Sequence, residues 1–263
     1  TLSVRSGFRA EFVDTILGAN AHVTLYAEST ATNATSRTGP ITAFDALADR
    51  IADVPGVTRA APLIKGQVMA NARERNAGVQ VFGIRPQDLA TIRRVADPDT
   101  AQGDIARFPD GIAIGSGVAR ELGVGLGDRI KLINPNGART AFGTTPRINA
   151  YEVVYIFTAG RFDIDRVRVY LPFTEAQTYF DRDVLADEIE VMVDDPENVR
   201  AMTAALLQAG GDGTLLWTWR DASGGFLRAL DIEDNVMFVI LSVLVLIAAM
   251  NIVSGLIMLV KNK

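Results

Sequence analysis

The sequence predicts an α+β fold in which a two-subdomain domain is followed by a single transmembrane α-helix. Three observations carry this reading. The run from Val236 to Val260 holds about 25 residues without a charge, enough to cross a hydrocarbon core of about 30 Å. Two strand–helix–strand patterns stand near the two ends of the remaining chain, at 20–65 and 188–220. Between them, at 66–187, short alternating apolar runs are separated by glycine, proline and asparagine clusters, the pattern of a β-rich insertion.

The apolar run fixes an orientation. Asp231, Glu233 and Asp234 precede it and Lys261 and Lys263 follow it; lysine beside a span marks the cytoplasmic side, so residues 1–235 are expected outside the cytoplasm. Met237, Phe238 and Leu241 lie at its outer mouth, as an apolar wall for acyl chains or as ordinary lipid-facing packing. Asn251 and Ser254 are polar groups in a costly environment. They read either as groups bonded within a helix bundle or as a helix-pairing site, and Gly255 would allow close approach. Residues 221–235 read as a stalk helix leading into the span at 236–260.

A net charge of −5 without a basic block argues against a nucleic-acid partner. With no cysteine and a single histidine, His22, the sequence offers no disulfide, no zinc-thiolate set and no catalytic triad. No cofactor is expected, and the chain reads as a non-enzyme. Thr1-Leu-Ser-Val4 is not a signal peptide, so export is expected to depend on a span preceding residue 1.

In chain order, Phe8, Phe12, Ile16 and Leu17 recur at helical spacing, and 1–19 is expected to continue that earlier span. Residues 21–26 alternate as a strand, 30–38 form a polar loop, Ile41 to Ile51 mark a helix face, and Pro55-Gly56 stops it before a strand over 57–62. Residues 67–70 and 78–84 flank a polar turn as a hairpin. Gly115-Ser-Gly117 matches neither phosphate-binding fingerprint and reads as a tight strand-to-helix turn. Strands over 129–133 and 151–157 bracket 134–149, a turn-rich loop that makes a protruding hairpin, where a scaffold commonly presents a binding surface. Asp163 and Asp165 read as surface carboxylates on a strand, followed by strands at 167–171, 188–193 and 214–217 and a helix opened by Pro196. Trp217 and Trp219 read as packing anchors.

Ser6 to Phe12 with Ile16-Leu-Gly18 at one end, Trp219-Arg-Asp221, Ile232-Glu233, Asn235 and Asn251-Ile-Val-Ser254 at the other, and Gly115, Leu122-Gly123 and Gly127-Asp128 between them resemble the LolC/LolE permeases of the lipoprotein-releasing ABC transporter. The related MacB and FtsX permeases share the broad architecture. The resemblance implies a multi-pass subunit of the bacterial inner membrane with a periplasmic two-part domain between its first two spans. It implies as partners a second permease subunit, a separate cytoplasmic ATPase, a lipoprotein substrate and a periplasmic lipoprotein chaperone. The alternative function is MacB/FtsX-like mechanotransmission without lipoprotein cargo.

LolC-type members carry a hairpin hook that enters the chaperone. Thr140, Phe142, Gly143 and Pro146 are similar to its tip, with Phe142 at the apolar tip position. Beside the hook the family has a polar, basic pad onto which Lys131, Ile148 and Asn149 align. Ile148 departs from it by being apolar, which leaves Arg147 as the alternative source of charge and both the LolC and LolE types open.

Overall fold

One long strand passes from one sheet into another, and the architecture follows from it. In the computed structural model, which describes residues 17, 19–29, 37–97, 99–140, 143–222 and 224–261, β1 (Val23–Glu28) and β2 (Thr38–Gly39) precede helix α1 (Phe44–Ala52). The 16-residue β3 (Val57–Ala72) turns into β4 (Arg75–Ile84); short helical turns, β5 (Gln102–Gly103), β6 (Ile112–Gly115) and α2 (Ser116–Leu122) follow. Then come β7 (Arg129–Thr140), β8 (Gly143–Phe157), β9 (Arg168–Pro172), α3 (Phe173–Phe180), β10 (Glu188–Val193), α4 (Val199–Gly210) and β11 (Thr214–Thr218). The expected opening helix at 1–19 lies almost wholly outside the described residues, as do residues 30–36 of the loop expected over 30–38, whose Thr38 stands on β2.

The first sheet has the order β11-β1-β10-β3, every neighbour antiparallel. Each strand–helix–strand unit therefore has a strand of the other unit between its own two, the split arrangement of ferredoxin-like folds. α1 and α4 pack against each other; Leu47, Ile51, Val199 and Leu206 on them are buried, as are Val23, Leu25, Ile189 and Val191 on the sheet. Burying such a side chain contributes roughly 1.5–3 kcal/mol. Arg50 Nε donates to the Ala209 carbonyl at 3.0 Å, satisfying a carbonyl that the end of α4 leaves without a helical partner.

Residues 57–63 of β3 belong to this sheet through β10, whereas 64–72 pair with β4. From there the pairing closes on itself: β4 with β9, β9 with β6, β6 with β8, β8 with β7, and β7 back to β3. A closed ring of strands has no free edge. Its core contains Phe82, Phe108, Phe157 and Tyr170, with the Phe157 and Tyr170 rings 5.4 Å apart. The β3–β4 turn uses Arg73 and Glu74, both at positive φ (46° and 66°), which gives the twist a two-residue hairpin requires. Arg73 is held there by Asp128 at 2.8 Å and the Gly123 carbonyl at 3.1 Å.

Two sequence expectations change. Asp163 and Asp165 stand on a helical turn, Phe162–Asp165, and not on a strand; Asp165 Oδ1 accepts the Ala159 N–H at 2.7 Å, and Asp163 pairs with Arg161. The β-strand expected over 57–62 runs on to Ala72 because its second half finds partners on both sides. Gly115-Ser-Gly117 owes its glycines to that same helical turn: a Cβ on Gly115 would lie 2.3 Å from the Asp165 carbonyl oxygen.

Residues 219–263 form a separate unit, with a short helical turn, Trp219–Ala222, and the 38-residue helix α5 (Gly224–Lys261). Within it Val236–Ser254 has a mean hydropathy of 2.9 and is long and apolar enough to cross a membrane.

Candidate interaction hairpin

Among the described residues no third strand accompanies β7 beyond Ile133: β3 pairs with it at Lys131, Leu132 and Ile133. Residues 135–140 and 143–146 consequently form a two-stranded ribbon projecting from the ring, with its last described pair at Thr140 and Gly143. The expected turn-rich loop is thus strand to its end. Asn134, Pro135, Asn136 and Gly137 bend it instead of ending it: Asn134 is buried and its Oδ1 accepts the Asn136 N–H at 3.0 Å, where the register shifts. Only glycine fits at 137, since a Cβ would stand 2.4 Å from the Thr145 carbonyl oxygen. Exposed Pro135 and Pro146 remove N–H donors from the ribbon, one way in which a free edge is kept from pairing with another chain.

α3 supports the base of the ribbon. Arg147, half-buried, donates through Nη1 to the carbonyl oxygens of Thr178 and Tyr179 in the last turn of α3. Tyr151 Oη donates to Glu175 Oε1 at 2.7 Å, and Asn149 Nδ2 reaches Tyr151 Oη at 3.1 Å. Burial, followed by the Glu175 carboxylate, raises the Tyr151 pKa, so the phenol remains a donor. The Tyr151 and Tyr179 rings meet edge to face at 6.3 Å. Arg147 and Asn149 are therefore engaged with α3, while Lys131 is exposed and Ile148 is 56% exposed. Pro146 is exposed, Thr140 and Gly143 have described backbones, and Phe142 lies outside the described residues.

Sequence reasoning missed Tyr151, Glu175 and Tyr179 as hairpin supports, and the pairing of Ile133 with Met69 on one side and Ile148 on the other. The signal present was the alternation along each strand; the register that joins them lies between distant segments. On α5, Met237, Phe238 and Leu241 are exposed at 50%, 72% and 54%, and Asn251 and Ser254 are also exposed. Ser242 Oγ donates to the Phe238 carbonyl at 2.8 Å, which satisfies that hydroxyl within the helix.

Elsewhere, a cleft of about 410 Å³ is lined by Tyr26, Thr38, Arg182, Leu185, Asp187 and Glu188. Its charges already pair: Glu188 with Lys65 at 2.6 Å and Asp187 with Arg182 at 3.0 Å.

The whole chain is 28% identical to the lipoprotein-releasing system transmembrane protein LolC of Neisseria meningitidis and 26% identical to LolE of Haemophilus influenzae. It spans 62% of the length of each. The crystal structure of the periplasmic region of MacB from Actinobacillus actinomycetemcomitans superposes with a TM-score of 0.52, covering 84% of this chain and 98% of that one. At 10% identity this likeness concerns the fold alone. The MacB-like periplasmic core domain family matches residues 1–209, and with most of its length so matched, the chain belongs to that family.

Proposed function

We propose that this chain is part of a permease subunit of an ABC transporter that releases lipoproteins from the bacterial inner membrane and hands them to a periplasmic chaperone. The observation that carries this reading is similarity along the entire chain to LolC and LolE, whose names specify lipoprotein release. The projecting two-stranded hairpin supports it, being a surface that a soluble partner can grip from both faces. In this reading residues 1–235 lie in the periplasm, the helix at 236–260 crosses the membrane, and Lys261 and Lys263 face the cytoplasm. A second permease subunit and a cytoplasmic ATPase complete the transporter. Residues 20–65 and 188–220 act as one discontinuous subdomain with 66–187 inserted, a division supported by the change of partners along β3.

Within the hairpin, Phe142 is the anchor, flanked by Thr140, Gly143 and Pro146. Lys131 supplies the long-range attraction at its base, and Arg147 and Asn149 hold its pose. Met237, Phe238 and Leu241 receive acyl chains at the outer mouth of the span; Asn251 and Ser254 pair helices.

Titration of the full chain in nanodiscs with the organism's own lipoprotein chaperone tests this. Wild type should bind, Phe142→Ala should lose about 2 kcal/mol, roughly thirtyfold in affinity, and a hairpin shortened between Pro135 and Pro146 should not bind. Absence of wild-type binding would favour mechanotransmission without lipoprotein cargo.

A further inference from the structure

One buried arginine ties the entry of the chain to the ring. Arg168, the first residue of β9, is 8% exposed. Its Nη1 donates to the Ala19 carbonyl oxygen at 2.6 Å and its Nη2 to Asn20 Oδ1 at 2.8 Å, and the guanidinium lies 4.4 Å from the centroid of the Phe82 ring on β4. Leu17 and Ala19 are buried, and Ala19 belongs to the same apolar cluster as Phe82, Phe157 and Tyr170. By His22 the chain has left that cluster: the His22 N–H donates to the Val191 carbonyl at 3.1 Å, and β1 continues in the first sheet between β10 and β11. Residues 17, 19 and 20 are therefore held by the ring, although the strand they lead into belongs to the other sheet. The chain leaves from that other sheet, since Thr218 ends β11 opposite Val23.

Arg168 is an expensive way to fill this place. Among the described residues it makes no ion pair, and its buried Nε has no hydrogen-bond partner. A buried charge without an opposite charge is costly, and an apolar side chain of similar length often serves a core as well or better. What the guanidinium adds is direction. It holds two acceptors in a fixed fork and so sets orientation as well as distance, whereas the apolar burial of Leu17 and Ala19 is non-directional. β9 in turn pairs with β4 on one side and β6 on the other, so a pull on Arg168 reaches ring strands on both sides. We propose that Arg168 is a positioning residue of the transport cycle: it fastens the incoming segment to the ring, so that a displacement of the chain before Leu17 is passed to the ring and its hairpin and not to the first sheet. This rests on the functional reading above, in which the chain reaches Leu17 from an earlier span and the hairpin meets the chaperone, and it adds the route between the two.

The test uses the complete transporter in nanodiscs, with lipoprotein, ATP and the purified chaperone of the same organism. Arg168→Met keeps the length and the packing against Phe82 and removes the fork. It should unfold at the wild-type temperature or above, and should bind chaperone and hydrolyse ATP like wild type. Lipoprotein handed over per ATP should fall about tenfold, the size of effect that residues on a coupling route have. Arg168→Lys, with a single donor group in place of the fork, should recover part of the loss, and Asn20→Ala, which removes one of the two bonds, should show part of it. If Arg168→Met hands over as much lipoprotein per ATP as wild type, the route is overturned while the functional reading stands. A lower unfolding temperature with unchanged lipoprotein per ATP for the folded transporter makes Arg168 a structural residue and also overturns it. Should Arg168→Met not assemble, Asn20→Ala decides, and wild-type release per ATP from that variant overturns the proposal. If wild type hydrolyses ATP and releases no lipoprotein, the functional reading falls and the proposal with it.

Discussion

Arg147 Nη1 lies 3.2 Å from the carbonyl oxygen of Tyr179, so a residue of the hairpin caps the C-terminus of α3. A helix leaves its last carbonyls without internal partners and carries partial negative charge there, and a guanidinium answers both. Arg147→Ala should therefore cost about 1–2 kcal/mol in stability, with Arg147→Lys recovering part of it. Loss of chaperone affinity in Arg147→Ala should be insensitive to salt, because the residue sets the hairpin's pose and does not attract the partner. A loss that disappears at high salt, with unfolding unchanged, would return Arg147 to a rim role.

Glu190 and Arg59 make a buried ion pair at 3.3 Å, with side chains 10% and 6% exposed. Arg59 Nη1 also donates to the Asp88 carbonyl at 3.1 Å, joining the first sheet to the turn after β4. Glu190→Gln removes the ion-pair partner of a buried guanidinium, leaving only the nearby Asp88 carboxylate to oppose its charge, and should destabilise the domain by about 3 kcal/mol. Replacing both residues by methionine should cost much less, since neither charge then needs a partner. Denaturant midpoints of the two variants, compared at pH 7, check this; equal losses would mean that packing dominates and charge does not.

The span and most strands were legible in the sequence because apolar run length and two-residue alternation are local properties. Residues 134–149 misled for a physical reason: past Ile133 the two strands pair with each other without a third strand among the described residues, which asks for no apolar alternation, so they read as loop. Asp163 and Asp165 were likewise assigned to a strand, although the helical turn there depends on Asp165 bonding the Ala159 N–H and on α2 glycines accepting its backbone. The placing of β7 between β3 and β8 was out of reach. Met69 is set opposite Ile133 only by the closure of the ring, and nothing in a window of ten residues encodes that register. Arg147 was recognised as a hairpin residue, but its engagement with α3 depends on how a helix 26 residues further along is set down.

Gly115→Ala should be strongly destabilising even though φ at this position is an ordinary −66°. The obstacle is contact: the added methyl would lie 2.3 Å from the Asp165 carbonyl oxygen and 2.9 Å from its Cα, and backbone atoms cannot move aside as a flexible side chain can. A cost of about 1–3 kcal/mol is expected for forcing an extra methyl into such a site. Gly78→Ala, with open space around its Cβ, should be nearly neutral by thermal unfolding and serves as the control.

His22 makes stability depend on pH in a defined window. Burial is the main cause lowering its pKa from 6.5 to about 4, and the Arg59 charge adds to it. Its Nδ1 accepts the Val193 N–H at 3.0 Å, a bond that only the ring with an unprotonated Nδ1 can accept. The unfolded chain therefore binds a proton near pH 6.5 that the folded chain refuses until about pH 4. Between those values the unfolded state holds more protons, and folding stability falls as pH is lowered. At about 1.4 kcal/mol per pKa unit the wild type should lose up to about 3 kcal/mol from this group across the window. His22→Asn, which keeps an acceptor for Val193 without a titrating ring, should be less stable at pH 7 yet show a flatter profile from pH 6.5 to 4. Parallel profiles for the two proteins, measured by denaturant unfolding at half-unit steps, would move the acid sensitivity away from His22 and toward the paired carboxylates.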